Sequence, residues 1–310
     1  MITALSLSPA VDKIYHIDNF EAGGLFRLEH PAVRSAGGKG INVARVASLL
    51  GEKVACAGFK AGYTGEWLEA ELVRIGVEAR FIPVEGESRT NSNIIDRIRG
   101  TETEILEVGP EIPEREKEKF LALFKELVRK TTVLVCSGGL PKGISTDFYK
   151  VLINMAKTEG VKVLLDSSSK VLEEGIKAKP YLIKPNRKEL SLYAGKELLT
   201  MRDIIDACRT INCMGVEYVA ASLGKEGALL VTSHRVLYVK SPEVEVQNTI
   251  GSGDSMVAGI AVGLARGMTM EEAFLLGTAC AVANTQFVEI GVVTKELVEK
   301  YLQQIRVAEL

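Results

Sequence analysis

The chain has 310 residues, of which 46% are hydrophobic and 6% aromatic, and it is long enough to bury a large core as one domain, with or without an inserted subdomain. Its 38 basic and 40 acidic side chains leave a net charge of −2, which removes an electrostatic case for nucleic acid or an anionic membrane surface but leaves room for a local basic pocket. Cys56, Cys136, Cys208, Cys213 and Cys280 are odd in number and scattered, so reduced thiols are expected rather than disulfides or zinc ligands, and His16, His30 and His234 have no metal spacing either.

The chain opens directly on a strand-like run at 2–7, without a basic segment followed by a long apolar one, and no later stretch offers about 18 unbroken apolar residues. A cytoplasmic protein without a membrane span is expected. Residues 12–35 follow, where Tyr15, Ile17, Phe26 and Leu28 look strand-like. Glycines at 37, 38 and 40 then lead into a helix with an apolar period through Val43, Val46, Ala47 and Leu50. A strand at 54–58 and a helix near 65–75 precede a second strand-like stretch at 88–108. The order continues with a helix near 115–129, a strand at 132–136, a helix near 148–157, strands at 161–165 and 181–184, and helices around 188–193 and 202–212. A strand at 218–222 leads to a hairpin from 228–232 and 236–239, and Thr269-Met-Glu-Glu272 fits a capping box for a helix through 273–286. Alternating strands and helices without an internal repeat or linker predict one doubly wound α/β domain over 1–310.

The segment Asn248-Thr-Ile-Gly-Ser-Gly-Asp-Ser-Met-Val-Ala-Gly-Ile260 carries the chemistry. Asp254 stands directly after the small-residue turn Gly251-Ser252-Gly253, at the start of a helix predicted to be amphipathic through Val257, Ile260 or Ala261, and Leu264. Such a turn lets the backbone approach an anion, and the free N–H groups and positive dipole of the helix start favour negative charge. A carboxylate placed there makes sense as a base beside a phosphate. Taken alone, the same turn also reads as an ordinary helix cap. No G-x-x-x-x-G-K-S/T loop, third dinucleotide-type glycine or protein-kinase motif is present. The second glycine cluster, Ala36-Gly-Gly-Lys-Gly-Ile-Asn-Val-Ala-Arg-Val46, suggests that the ligand has two halves.

With both clusters in place, the sequence resembles the ribokinase-type carbohydrate kinases, or PfkB family, whose two signatures look like residues 36–46 and 248–260. The resemblance runs from end to end through Leu7-Ser-Pro-Ala-Val-Asp12, Ser137-Gly-Gly-Leu-Pro-Lys-Gly143, Leu165-Asp-Ser-Ser-Ser169, Ile183-Lys-Pro-Asn-Arg-Lys-Glu189 and Ser222-Leu-Gly-Lys-Glu-Gly227. It implies a three-layer α/β/α ribokinase-like domain whose insertions at about 12–35 and 88–108 make a small β-sheet lid, with a homodimer formed through the lid's other face. The residues alone equally allow extra edge strands on the main sheet.

The resemblance also implies roles. Asp254 would be the catalytic base, and the amides of Gly251, Ser252 and Gly253 an anion hole. Asn186 and Glu189 match an N-x-x-E motif that acts on Mg2+ through water. Ser222, Gly224 and Gly227 match a nucleotide-binding turn for ATP, with Lys184 and Lys225 as charge partners and Asn284 beside the nucleotide or else an ordinary helix residue. Asp12, Gly38, Lys39, Gly40 and Asn42 would line the sugar, and Arg27 and Arg89 would hold its phosphate.

Within the family, the segments around Asp166 and 182–190 look most like 1-phosphofructokinases, with tagatose-6-phosphate kinases close behind. Two positions depart from that pattern: Ser8 replaces the usual asparagine, and Gly139 replaces a serine whose hydroxyl commonly meets the substrate phosphate. Losing one such hydrogen bond is worth about 1.5–3 kcal/mol, or one to two powers of ten in affinity. The alternative of a non-catalytic sugar-phosphate sensor is disfavoured because Asp254, Gly251, Gly253, Asn186 and Glu189 are all present.

Overall fold

The computed structural model covers residues 1–310. In chain order it runs β1 (Ile2–Ser6), β2 (Ala10–His16), β3 (Val33–Gly37), α1 (Lys39–Leu49), β4 (Val54–Ala61), α2 (Gly62–Arg74), β5 (Glu78–Val84), β6 (Arg89–Asp96) and β7 (Thr101–Leu106). The middle comprises α3 (Glu114–Val128), β8 (Val133–Ser137), α4 (Phe148–Thr158), β9 (Lys162–Asp166), α5 (Ser169–Ile176), β10 (Leu182–Ile183), α6 (Arg187–Ala194) and α7 (Met201–Cys213). The last part is β11 (Tyr218–Ser222), β12 (Ala228–Val231), β13 (Val236–Val239), α8 (Ser252–Ala265), α9 (Met270–Asn284), α10 (Lys295–Gln304) and β14 (Val307–Glu309). No helix is long and apolar enough to cross a membrane.

Ten strands form the main sheet in the order β14-β13-β12-β11-β10-β9-β8-β1-β4-β5, parallel from β11 to β5 and antiparallel from β11 outward to β14. Burial on both faces explains the unbroken apolar runs of the central strands. Alternate residues of β8 divide between the two cores: Val133 and Val135 pack with α1, α2, α8, α9 and α10, whereas Leu134 and Cys136 pack with α3 to α7. The chain leaves β1 first toward β4 and later returns to β8 on its other side, so the strand order reverses beside β1. In an open α/β sheet, ligands collect at the carboxyl ends of the strands at such a reversal.

The other four strands pair only with one another, as a sheet β3-β2-β6-β7. Two details differ from the sequence reading. Phe26 and Leu28 lie in the connection between β2 and β3, where the Phe26 ring meets Phe20 at 5.5 Å between centroids, and the strand that returns is 33–37. At the edge of the main sheet, β5 escapes the apolar-run test because Glu78, Arg80 and Pro83 interrupt it; a proline is tolerated on an edge strand.

The helix that begins at Ser252 is not amphipathic. Every residue from Asp254 to Leu264 is buried, because α8 lies between α1, α9 and the sheet. Small residues make this close packing possible: a Cβ on Gly259 would fall 2.7 Å from the Gly277 Cα and 2.8 Å from the Cys280 Sγ. Backbone cannot yield as a side chain can. Gly259→Ala is therefore expected to cost about 1–3 kcal/mol through overpacking, read as an earlier urea midpoint with an unchanged denaturant slope.

Candidate active site

The carboxyl ends of β1, β8, β9 and β10 converge with the starts of α1 and α8. Gly251 caps α8 in the left-handed region (φ 79°), which turns the chain so that Ser252 and Gly253 open the helix and Asp254 stands in its first turn. The Asp254 side chain is buried, and Asn42 Nδ2 from α1 donates to its Oδ2 at 2.8 Å. Asn42 is itself held, since Arg45 Nη1 donates to its Oδ1 at 3.2 Å and to the Ile290 carbonyl at 2.8 Å, and Arg45 Nη2 donates to the Ala36 carbonyl. With its oxygen taken, the amide must offer its nitrogen to Asp254. Burial pushes Asp254 up to about 6, against the pull of Lys39, the Asn42 hydrogen bond and Lys184, while the Asp166 charge pushes it further up.

Lys39, in the first turn of α1, reaches Asp166 Oδ1 at 3.2 Å and stands 4.0 Å from Glu189 Oε1. The Asp166 carboxylate holds its ammonium well above the ordinary lysine range, against the opposing effect of burial. Lys184 meets the same Asp166 oxygen at 3.4 Å, and its Nζ lies 3.1 Å from where a Gly253 Cβ would stand. Two cations thus converge near Asp254.

Asn186 and Glu189 form a reciprocal capping box on α6: Glu189 N–H donates to Asn186 Oδ1, and Asn186 N–H donates to Glu189 Oε2, both at 2.9 Å. The Glu189 side chain is only 10% exposed, so it is not a solvated helix carboxylate. Its Oε1 remains without a hydrogen bond, facing Lys39. No three acidic, His or Cys side chains cluster tightly enough to ligate a metal directly. That donor set suits a hard ion that keeps most of its waters, which is how Mg2+ behaves.

Beyond Gly253 runs a groove of about 1230 Å³. Ser222, Gly224, Lys225 and Gly227 line one side with Asn186, while Val244, Val246, Met256, Ala281 and Val282 supply an apolar wall next to Ser252 and Gly253. Of the two sequence alternatives for Asn284, its burial supports the ordinary helix residue, although its Nδ2 also reaches Ser252 Oγ at 3.4 Å on the groove side. Asn284 is fully buried behind the turn, donating to the Ile250 carbonyl at 2.9 Å and accepting from Gly291 N–H at 2.9 Å. A buried amide must satisfy both ends, and Asn284 does so by tying the Asp254 turn to the Gly291 turn.

On the opposite side, the small sheet presents Asp12, buried and accepting from Asn91 Nδ2 at 2.8 Å. Burial raises its carboxyl, and the Asn91 bond and the Arg89 and Arg45 charges oppose this. A Cβ on Gly37 would overlap the Asp12 carboxylate at 1.8 Å, so glycine there is what lets β3 run beside it. Gly38 and Gly40 bracket Lys39 at the start of α1. Arg89 donates to the Ser8 carbonyl through Nε at 3.3 Å and Nη2 at 3.2 Å, and to Asn91 Oδ1 at 3.4 Å. Arg89 thus uses the backbone at position 8, a contact that does not depend on the side chain there. Around Gly139 a Cβ would meet nothing within 4 Å, so the missing hydroxyl leaves open space. Arg27 is not brought to this group: it is exposed on the β2–β3 connection, with no hydrogen bond or ion pair to the other residues.

Sequence reasoning did not single out Asp166 or Arg45 for the site. Asp166 carries a readable signal, a lone acid closing the apolar run of β9 at the binding edge of the sheet. Arg45 carries none, since a charge on a helix is ordinarily a solvated one.

The profile of pfkB family carbohydrate kinases matches residues 8–291. The chain is 36% identical to a tagatose-6-phosphate kinase of Staphylococcus epidermidis and 33% identical to a 1-phosphofructokinase of Bacillus subtilis, in each case over 100% of both chains. Its fold is similar to the crystal structure of a possible 1-phosphofructokinase from Thermotoga maritima, with a TM-score of 0.92 and 28% identity over 100% of this chain and 99% of that one.

Proposed function

The chain belongs to the pfkB family of carbohydrate kinases, and from that premise we propose that it transfers the terminal phosphoryl group of ATP to a ketohexose phosphate, with fructose 1-phosphate as acceptor. The observation that carries this reading is the buried Asp254, held by Asn42 in the first turn of α8 between the groove and the small sheet. Its carboxylate takes the proton of the C6 hydroxyl as that oxygen attacks the terminal phosphorus in line. The new P–O bond forms as the bond to the bridging oxygen breaks, ADP leaves with its electron pair, and fructose 1,6-bisphosphate results. A base poised near 6 is ionised at neutral pH yet basic enough to accept the proton.

In this reading the amides of Gly251, Ser252 and Gly253 and the ammoniums of Lys39 and Lys184 stabilise charge on the transferring oxygens. Ser222, Gly224, Lys225 and Gly227 take the nucleotide phosphates, and the apolar wall of the groove takes the base. Asp12, Gly38, Gly40 and Asn42 orient the sugar hydroxyls, and Arg89 takes the phosphate at its far end. Glu189 and Asn186 would hold Mg2+ through water, and the bound ion would supply charge neutralisation at the nucleotide phosphates.

The higher identity to the tagatose-6-phosphate kinase, 36% against 33%, favours tagatose 6-phosphate as a second reading, with its C1 hydroxyl as nucleophile. ADP release with Mg-ATP separates the two when kcat/KM is compared for fructose 1-phosphate, tagatose 6-phosphate, fructose 6-phosphate and fructose. The highest value for fructose 1-phosphate supports the first reading, and preference for a 6-phosphate moves the enzyme to the other branch. Turnover of none revives the sensor.

Assembly belongs to the same proposal. The strand β7 is exposed along its whole length, and Ile98, Ile105, Leu106 and Val108 stand 55–78% exposed around it. An open strand edge with apolar neighbours calls for a partner. A homodimer through the small sheet is expected in sedimentation at micromolar concentration, and a monomer there would contradict it.

A further inference from the structure

Asp166 closes β9 at the binding edge of the main sheet with its side chain wholly buried. Lys39, from the start of α1, and Lys184, just beyond β10, both place their ammoniums on its Oδ1, at 3.2 and 3.4 Å. Oδ2 is buried and has no partner. One oxygen therefore draws together two cations from separate crossovers of the sheet, against their mutual repulsion.

Stability alone does not account for this arrangement. Charges removed from water lose hydration that their attraction only partly restores, and apolar residues in their place often serve folding as well or better. The placement makes sense in relation to the reaction. Lys184 is 4% exposed, with Asp166 as its ion-pair partner, and it lies against Gly253 immediately before Asp254. Lys39 is 38% exposed and leads from the same carboxylate into the cleft. Cations fixed before the reaction stabilise charge on a transferring phosphoryl group without reorganising during it.

We propose that Asp166 is a positioning residue for phosphoryl transfer: it acts not on a substrate but by fixing Lys39 and Lys184 together beside the Asp254 turn. This rests on the kinase reading and adds a residue to it. Asp166→Asn keeps the shape and removes the charge that holds both ammoniums. Its kcat is expected to fall about 100-fold, the scale of one lost preorganised donor, while KM for ATP and for the phosphosugar stays within about threefold. A purely structural role would lower the folded fraction and leave kcat per folded molecule unchanged.

The route through the lysines is read from a double-mutant cycle with Lys184→Met. The loss caused by Asp166→Asn is expected to shrink about tenfold in that background, because one of the groups it positions is gone. Where the Asn variant does not fold, Asp166→Glu serves: it keeps the charge but advances the ion pairs by a methylene, and is expected to cost at least about tenfold in kcat. A kcat within about threefold of the parent for the folded Asn variant, or for Glu where Asn does not fold, overturns the proposal, as do fully multiplicative losses in the cycle. Parent turnover is measured first. An inactive parent removes the kinase reading and this proposal with it, whereas an active parent with an insensitive Asp166 removes only the proposal.

Discussion

Asp254→Asn is expected to lower kcat by about 10²–10⁴-fold, the contribution of a positioned general base, with affinity for ATP and phosphosugar largely kept. The amide fills the same space and can still accept from Asn42, so the loss is one of basicity and not of architecture. For the parent, the acid limb of kcat/KM is expected near pH 6, because the base works only when ionised and burial pushes Asp254 up to about 6. Above that pH the carboxylate is charged where its surroundings disfavour charge, and a shift from 3.8 to about 6 represents roughly 3 kcal/mol given up when it ionises. The sign follows from linkage. Asp254 is most comfortable below its unfolded value and loses that stability as pH rises through its folded value. Asp254→Asn is thus expected to raise the thermal midpoint at pH 7.5, with the advantage fading as pH falls from 6 toward 4. Turnover retained at pH 7.5 would remove Asp254 as the base, and an equal midpoint change at both pH values would remove the electrostatic explanation.

Arg89→Ala is expected to raise KM for the phosphosugar by about 10–100-fold, the cost of one charged hydrogen-bonding partner, while KM for ATP changes little. Arg89 stands in the small sheet, and its present partners, the Ser8 carbonyl and Asn91 Oδ1, hold it beside Asp12. Its loss removes the phosphate partner and also loosens the Asn91 amide that supports Asp12. Arg89→Lys should recover little, since a single ammonium cannot reproduce the forked donors. Equal changes in both Michaelis constants would remove the phosphate role. Arg27 is exposed on the β2–β3 connection, so Arg89 is the arginine of the pair that the small sheet already holds beside Asp12.

What the sequence made legible followed from local rules. The two glycine turns, the alternation of strands and helices, the hairpin of β12 and β13, and the Thr269 capping box each depend on a few adjacent residues. What it concealed depended on contacts between distant ones. The helix α8 reads as amphipathic because its small residues score neither for nor against burial, and only α9 opposite Gly259 decides the matter. Asn284 reads as a ligand candidate because its partners, Ile250 and Gly291, are set by two loops that the sequence does not bring together. Arg45 looks like a surface charge until the Ala36 and Ile290 carbonyls take it inward. Asp166 gains its significance only when Lys39 and Lys184, each legible separately, arrive at the same oxygen.

The central claim is that ATP supplies a phosphoryl group to a ketohexose phosphate with Asp254 taking the proton, and its most direct test is to follow the phosphorus. Phosphorus-31 resonances recorded during incubation with Mg-ATP and fructose 1-phosphate should show the terminal phosphoryl signal of ATP replaced by a second phosphoester on the sugar, in step with ADP and dependent on Asp254. Terminal phosphate released only to water, or the same product at the same rate from Asp254→Asn, would contradict the account.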